Sequence, residues 1–125
     1  MPKVSRESAA HVDDFGAALD RHEDLEGYTV NFLAIRQDAD LAPMLKGLPG
    51  DSCQCPHWGY VTSGTLTFRF ADREEVCQAG DAFYVGPGHT PSATAGTEYL
   101  QFSPASELQA VTAAIVKNMQ AMQSA

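Results

Sequence analysis

The chain has 125 residues, 44% of them hydrophobic, with a formal net charge of −8 and three cysteines. That length fits one domain able to bury roughly two-thirds of its unfolded surface, so no disulfide framework is needed. The acidic balance and eight scattered Lys and Arg residues argue against nucleic-acid binding, which needs clustered positive charge, and no apolar run approaches the ~20 residues of a membrane-spanning helix. With no continuous apolar stretch among its first residues, no secretory signal is expected. The expectation is a cytoplasmic protein that binds neither nucleic acid nor membrane, with its thiols reduced.

Residues 1–26 are polar, with Val12, Phe15, Ala18 and Leu19 at weak helical spacing. They predict a short helix or a loose arm. Tyr28 to Arg36, rich in β-branched and aromatic residues, predicts a strand. The next stretch carries Pro43, Gly47, Pro49 and Gly50 and predicts loop with one helical turn.

From 53 to 103, short strands are predicted at 53–62, 65–71, 74–78, 82–86 and 98–103, separated by Gly, Pro and Asp turns. In TLTFRF, Leu66, Phe68 and Phe70 alternate with Thr65, Thr67 and Arg69, the period of a half-buried strand. Such a series suggests a sandwich or barrel. Phe68, Phe70, Phe83, Val85, Leu100 and Phe102 are expected in the core or pocket wall. Val76 should face the core, and Cys77 outward or toward the second sheet. After Ser103 as cap and Pro104 at the first helical position, Leu108, Val111, Ile115, Met119 and Met122 form one stripe of a C-terminal helix. The divisions are 1–26 (arm or helix), 27–103 (barrel) and 104–125 (helix), within one domain.

Two stretches resemble the motifs of the cupin family. GDAFYVGPGHTP, Gly80 to Pro91, follows the second motif, although His89 stands about two residues before the family's usual histidine. CQCPHWGYVTSGTLTFRF, from Cys53, follows the first. There His57 falls where the family has a Glu or Gln ligand, and Cys53 and Cys55 fall where it has two histidines. The resemblance implies an all-β, jelly-roll barrel, a metal ion in its interior, a small-molecule substrate or ligand, and a homodimer.

Alternation places Cys53, Cys55 and His57 on one face of an extended segment. With His89 from another strand they would make a Cys₂His₂ set suited to zinc; thiolates also suit copper and tolerate iron. Other readings remain open. The cysteines could line a metal-free barrel, or form a disulfide if the backbone kinks. His89 could simply bond turn carbonyls. Glu98 could point into the barrel mouth as an acid or base, or sit at the surface. Trp58 and Tyr60 should face away from the ligand row, while His11 and His22 should be solvated. The functions to weigh are a metal-dependent enzyme of oxygenase, hydrolase or isomerase type, a metal or redox sensor, and a small-ligand binder; catalytic residues are unassigned.

Overall fold

The computed structural model describes residues 1–124; of the expected C-terminal helix, Ala125 lies outside the described residues. Ten strands run in chain order: β1 (His11–Asp14), β2 (Ala18–Leu25), β3 (Tyr28–Ile35), β4 (Ala39–Asp40), β5 (His57–Ser63), β6 (Thr65–Arg69), β7 (Glu74–Gln78), β8 (Ala82–Val85), β9 (Thr90–Ala93) and β10 (Glu98–Pro104). Two 3-10 turns, Ala42–Leu45 and Pro49–Asp51, precede β5, and α1 (Ala105–Ser124) ends the chain. One sheet has the order β1-β2-β3-β10-β5-β8, the other β4-β9-β6-β7, and all pairings are antiparallel. This is the all-β architecture with a C-terminal helix that the strand series predicts. Among the described residues no helix is long and apolar enough to cross a membrane.

The core between the sheets is Val61, Leu66, Phe68 and Val85, with Phe70, Phe83 and Tyr99 packed on it. Gly59 makes room for it. A Cβ there would run into the Phe83 ring and stand 2.6 Å from the Leu100 carbonyl oxygen. Gly64, in the turn from β5 to β6, has φ +78° and sits against Thr97, a conformation that favours glycine. A second cluster, Leu45, Cys53, Cys55 and Val111 with Leu108 and Ile115, joins α1 to the loop before β5. The helix stripe is thereby partly covered.

Several expectations are corrected. The N-terminal segment is neither helix nor loose arm: β1 and β2 form a hairpin, with His11 opposite His22 and Asp13 opposite Asp20. Pairing of β2 along all of β3 overrides a weak local helical pattern. β9 was hidden by its sequence TPSA, because Pro91 reads as a turn residue. Cys77 pairs with Leu66 and packs on the core, while Val76 is 55% exposed; the parity of β7 is the reverse of that expected.

The large sheet is inverted in polarity. Its outer face carries Tyr28, Trp58, Tyr60, Tyr84 and Phe102, each at least 40% exposed. Phe102, expected inside, therefore lies outside, opposite Trp58, and Leu100 shares its parity. The inner face is polar: Thr29, Asn31, His57, Gln101 and Ser103 are all buried. Trp58 and Tyr60 do face away from His57, as alternation requires.

Candidate metal centre

The strand expected from residue 53 begins only at His57. Cys53 instead makes an isolated antiparallel bridge with His89. Its N–H donates to the His89 carbonyl at 2.8 Å, and Gly88 N–H donates to the Cys53 carbonyl at 2.8 Å. This backbone clip sets two donors from distant segments side by side. The chain then bends at Cys55 and passes through Pro56 before β5 starts.

That bend separates the two cysteines. Cys53 Sγ, one ring nitrogen of His57 and one of His89 all lie within 4.8 Å of one another, and all three residues are buried. Cys55 is not in this group. Its thiol lies 3.4 Å from the Pro56 carbonyl and packs with Leu45 and Val111. Alternation holds only along extended backbone, and residues 54–56 are not extended strand. Both cysteines are free thiols. The arrangement is thus one thiol and two imidazoles, with Cys55 beside them.

Each imidazole is held by its far nitrogen. His89 is 0% exposed, and its Nδ1–H donates to the Gly86 carbonyl at 2.6 Å. A carbonyl can only accept, so the neutral ring carries its lone pair on Nε2. That Nε2 is buried and has no hydrogen-bond partner among the described residues. The expectation that His89 bonds a turn carbonyl and the expectation that it offers a ligand atom are met by different ends of one ring. His57 Nδ1 lies 2.6 Å from Ser103 Oγ, and its Nε2 lies 3.6 Å from Cys53 Sγ. Two donors on one tetrahedral zinc ion stand about 3.5 Å apart, given bonds of about 2.0–2.3 Å, so this pair already has ligand spacing. The two rings meet edge to face, 5.1 Å apart, and Phe68 closes over His89 at 5.4 Å.

Burial shapes the protonation of the group. It pushes the His57 pKa down to about 3, with His89 nearby adding to the effect, and lowers that of His89 against the pull of the Gly86 carbonyl. Both rings are therefore neutral near pH 7, with lone pairs free for an ion. Burial raises the Cys53 thiol and pushes Cys55 up to about 12, with Cys53 and Glu107 adding to it and Ser103 opposing it.

Cys53 and His57 line a cavity of about 1380 Å³, whose other walls include β1–β3, β10, α1, the segment 38–44, Phe68 and Pro91. Glu98 is not in it. That carboxylate points outward and pairs with Arg6 at 3.0 Å. His22, expected to be solvated, does line the cavity, donor to acceptor with Asp13 at 2.8 Å. Ser103 was read as a helix cap, and Asp20, Asn31, Tyr99 and Gln101 were not singled out. Their signal was present: polar residues 29, 31, 101 and 103 alternate with apolar or aromatic residues 28, 30, 32, 100 and 102.

A family profile described as an AraC-like ligand binding domain matches residues 56–114. No curated protein matches the sequence. Among solved structures, an RmlC-like cupin from Shewanella frigidimarina superposes with a TM-score of 0.57 at 16% identity, covering 81% of this chain and 88% of that one. The chain has a cupin-like fold. Two further structures share this cupin architecture. The polyketide cyclase RemF from Streptomyces resistomycificus gives a TM-score of 0.59 at 14% identity, over 83% of this chain and 79% of its own. A protein of unknown function from Rhizobium leguminosarum gives 0.61 at 15%, over 82% and 95%.

Proposed function

We propose that this cupin binds a divalent transition metal, zinc before iron or copper, through Cys53, His57 and His89, and acts on a small organic substrate in its cavity. The observation that carries this reading is the buried, unpartnered Nε2 of His89, tautomer-locked by Gly86 and grouped with Cys53 Sγ and His57. Leaving a buried acceptor unpaired costs about 1–3 kcal/mol, a cost that a bound ion removes. The second nitrogen of each ring is tied to an oxygen, the outer support that metal-bound histidines usually have.

Three protein donors leave a coordination position open, as catalytic zinc sites do. When bound, the ion supplies Lewis acidity to an oxygen of water or substrate, the basis of hydrolase- or isomerase-type chemistry; iron would favour oxygenase-type chemistry. The chain's own contributions are fixed. Ser103 and Gly86 orient the imidazoles, the Cys53–His89 bridge holds the thiol, and Phe68 packs on the His89 ring. Cys55 lies outside the donor group. A second reading, a non-catalytic ligand-binding or sensing cupin, is favoured by the AraC-like match over residues 56–114. The aromatic outer face of the large sheet suits a homodimer, and a cytoplasmic setting suits a reduced thiol ligand.

The test is elemental analysis of untagged protein purified without added metal. One equivalent of zinc, iron or copper, lost in His89→Ala and kept in Cys55→Ala, supports the reading. No metal in the wild type after zinc dialysis overturns it. Azide added to the cobalt-substituted protein separates the two functions, because only an open position lets azide change the visible spectrum.

A further inference from the structure

Strand register arranges the inner face of the large sheet in rows beside the metal centre. One row is His22–Asn31–Gln101 across β2, β3 and β10; the next is Asp20–Leu33–Tyr99. All six residues line the cavity that Cys53 and His57 also line. Asn31 is 5% exposed. Its Nδ2 donates to both carboxylate oxygens of Asp20, at 3.0 and 3.2 Å. Its Oδ1 is buried and accepts no hydrogen bond among the described residues.

Asp20 has a matching deficit. No Lys or Arg pairs with it among the described residues. Its near neighbours are Asp13 and His22, and His22 is already bonded to Asp13. Burial raises its carboxyl pKa above the ordinary value, the mark of a carboxylate lacking a partner. Asn31 Oδ1 is thus a buried acceptor without a donor, and the half-buried Asp20 carboxylate beside it has an amide partner but no cationic one. A ligand that brings several N–H donors and a positive charge satisfies both. The rest of the lining agrees in sign: Asp13, Glu23, Asp24, Asp38 and Asp40 border the cavity, and Lys117 is its one Lys or Arg among the described residues. An anion is repelled there, and a neutral alcohol supplies donors but no charge.

We propose that the cavity binds a small organic ammonium compound, with its ammonium group against Asp20 and Asn31 and an oxygen-bearing end directed to Cys53, His57 and His89. Asn31 and His57 are two strands and one row apart, roughly 12 Å on a flat sheet. A chain of six to eight atoms spans about that reach. Gln101, on the strand between them, flanks the middle of the path. The ammonium half stands on Asp20 and Asn31 alone; the orientation of the other end rests on the metal reading above.

The experiment is calorimetric titration of the full chain with n-hexylamine, using 1-hexanol and hexanoate as matched controls, on metal-stripped protein. Hexylamine should bind and the controls should not. Asp20→Asn should weaken it roughly 30-fold or more, the loss expected when a buried charge partner is removed. Asn31→Leu, a second variant at the same corner, should weaken it about tenfold, and Glu98→Gln, which lies outside the cavity lining, should leave it unchanged. With zinc present, 6-aminohexanoate should bind at least tenfold tighter than to stripped protein. If the protein takes no metal, only this last gain is lost and the metal reading fails alone. Hexylamine binding no better than hexanol, or equally well to folded Asp20→Asn, overturns the ammonium site. So does zinc binding to Cys53→Ser that disappears when Asp20→Asn is added, because Asp13, Asp20 and His22 would then be a metal site.

Discussion

Ser103→Ala tests whether the imidazole of His57 is held in place for an ion. The side chain is 0% exposed, and its Oγ lies 2.6 Å from His57 Nδ1. Removing the hydroxyl leaves a buried N–H unpaired, at a cost of about 1–3 kcal/mol. For a chain of this size that lowers Tm by about 4–12 °C. The second effect is specific to the metal. A ring freed at Nδ1 can rotate, and loss of such outer support weakens metal affinity about 10–100-fold. Zinc affinity measured against a chromophoric chelator, with Tm recorded with and without zinc, reads both effects. The stabilisation that excess zinc gives should shrink along with the affinity, following mass action, and Ser103→Thr should restore much of it. If Ser103→Ala loses Tm yet keeps zinc affinity within twofold, Ser103 is merely a packing residue and His57 is not oriented by it.

Four further outcomes are expected. Cys53→Ala, His57→Ala and His89→Ala should each lose the metal, whereas Cys55→Ala should keep it and cost only about 1 kcal/mol of stability, read by elemental analysis and urea unfolding. Asp20 has a raised native pKa, so it favours the fold fully below its unfolded pKa of about 3.9 and loses that contribution as pH rises through its native pKa; Asp20→Asn should raise Tm at pH 7 and not at pH 3. Gly59→Ala should destabilise by about 1–3 kcal/mol, because the new methyl meets the Leu100 carbonyl at 2.6 Å; unchanged Tm would refute that packing. Trp58→Asp combined with Tyr84→Asp should turn a dimer into a monomer by sedimentation with Tm nearly unchanged, since both side chains are more than 40% exposed.

The fold was legible where local pattern and pairing agree. TLTFRF reads as β6 because its alternation is real in the sheet, with Leu66 and Phe68 buried. The C-terminal helix follows from its stripe. Reading failed where a single residue broke the regularity assumed. One bend at Cys55 and one proline at 56 suffice to turn a thiol out of the ligand group, and nothing in the spacing of CQCPH announces it. The inner face of β10 was misread for a different reason. Apolar residues were assigned inward, but this sheet turns its polar residues to a cavity and its aromatics outward. A ligand-binding interior places a few polar groups among apolar walls, and Asn31, Gln101 and Ser103 supply such groups here. His89 was found by motif, but its orientation depends on Gly86, a contact set by the loop geometry.

The chain has one tryptophan, and it adjoins His57 in sequence. Strand geometry nevertheless sends the two side chains to opposite surfaces: Trp58 stands outside between Tyr28 and Tyr84. Its fluorescence is therefore a poor witness to events in the interior. A metal or amine titration followed by intrinsic emission would look silent even at saturation, whereas dilution of an assembled protein should shift the emission to the red.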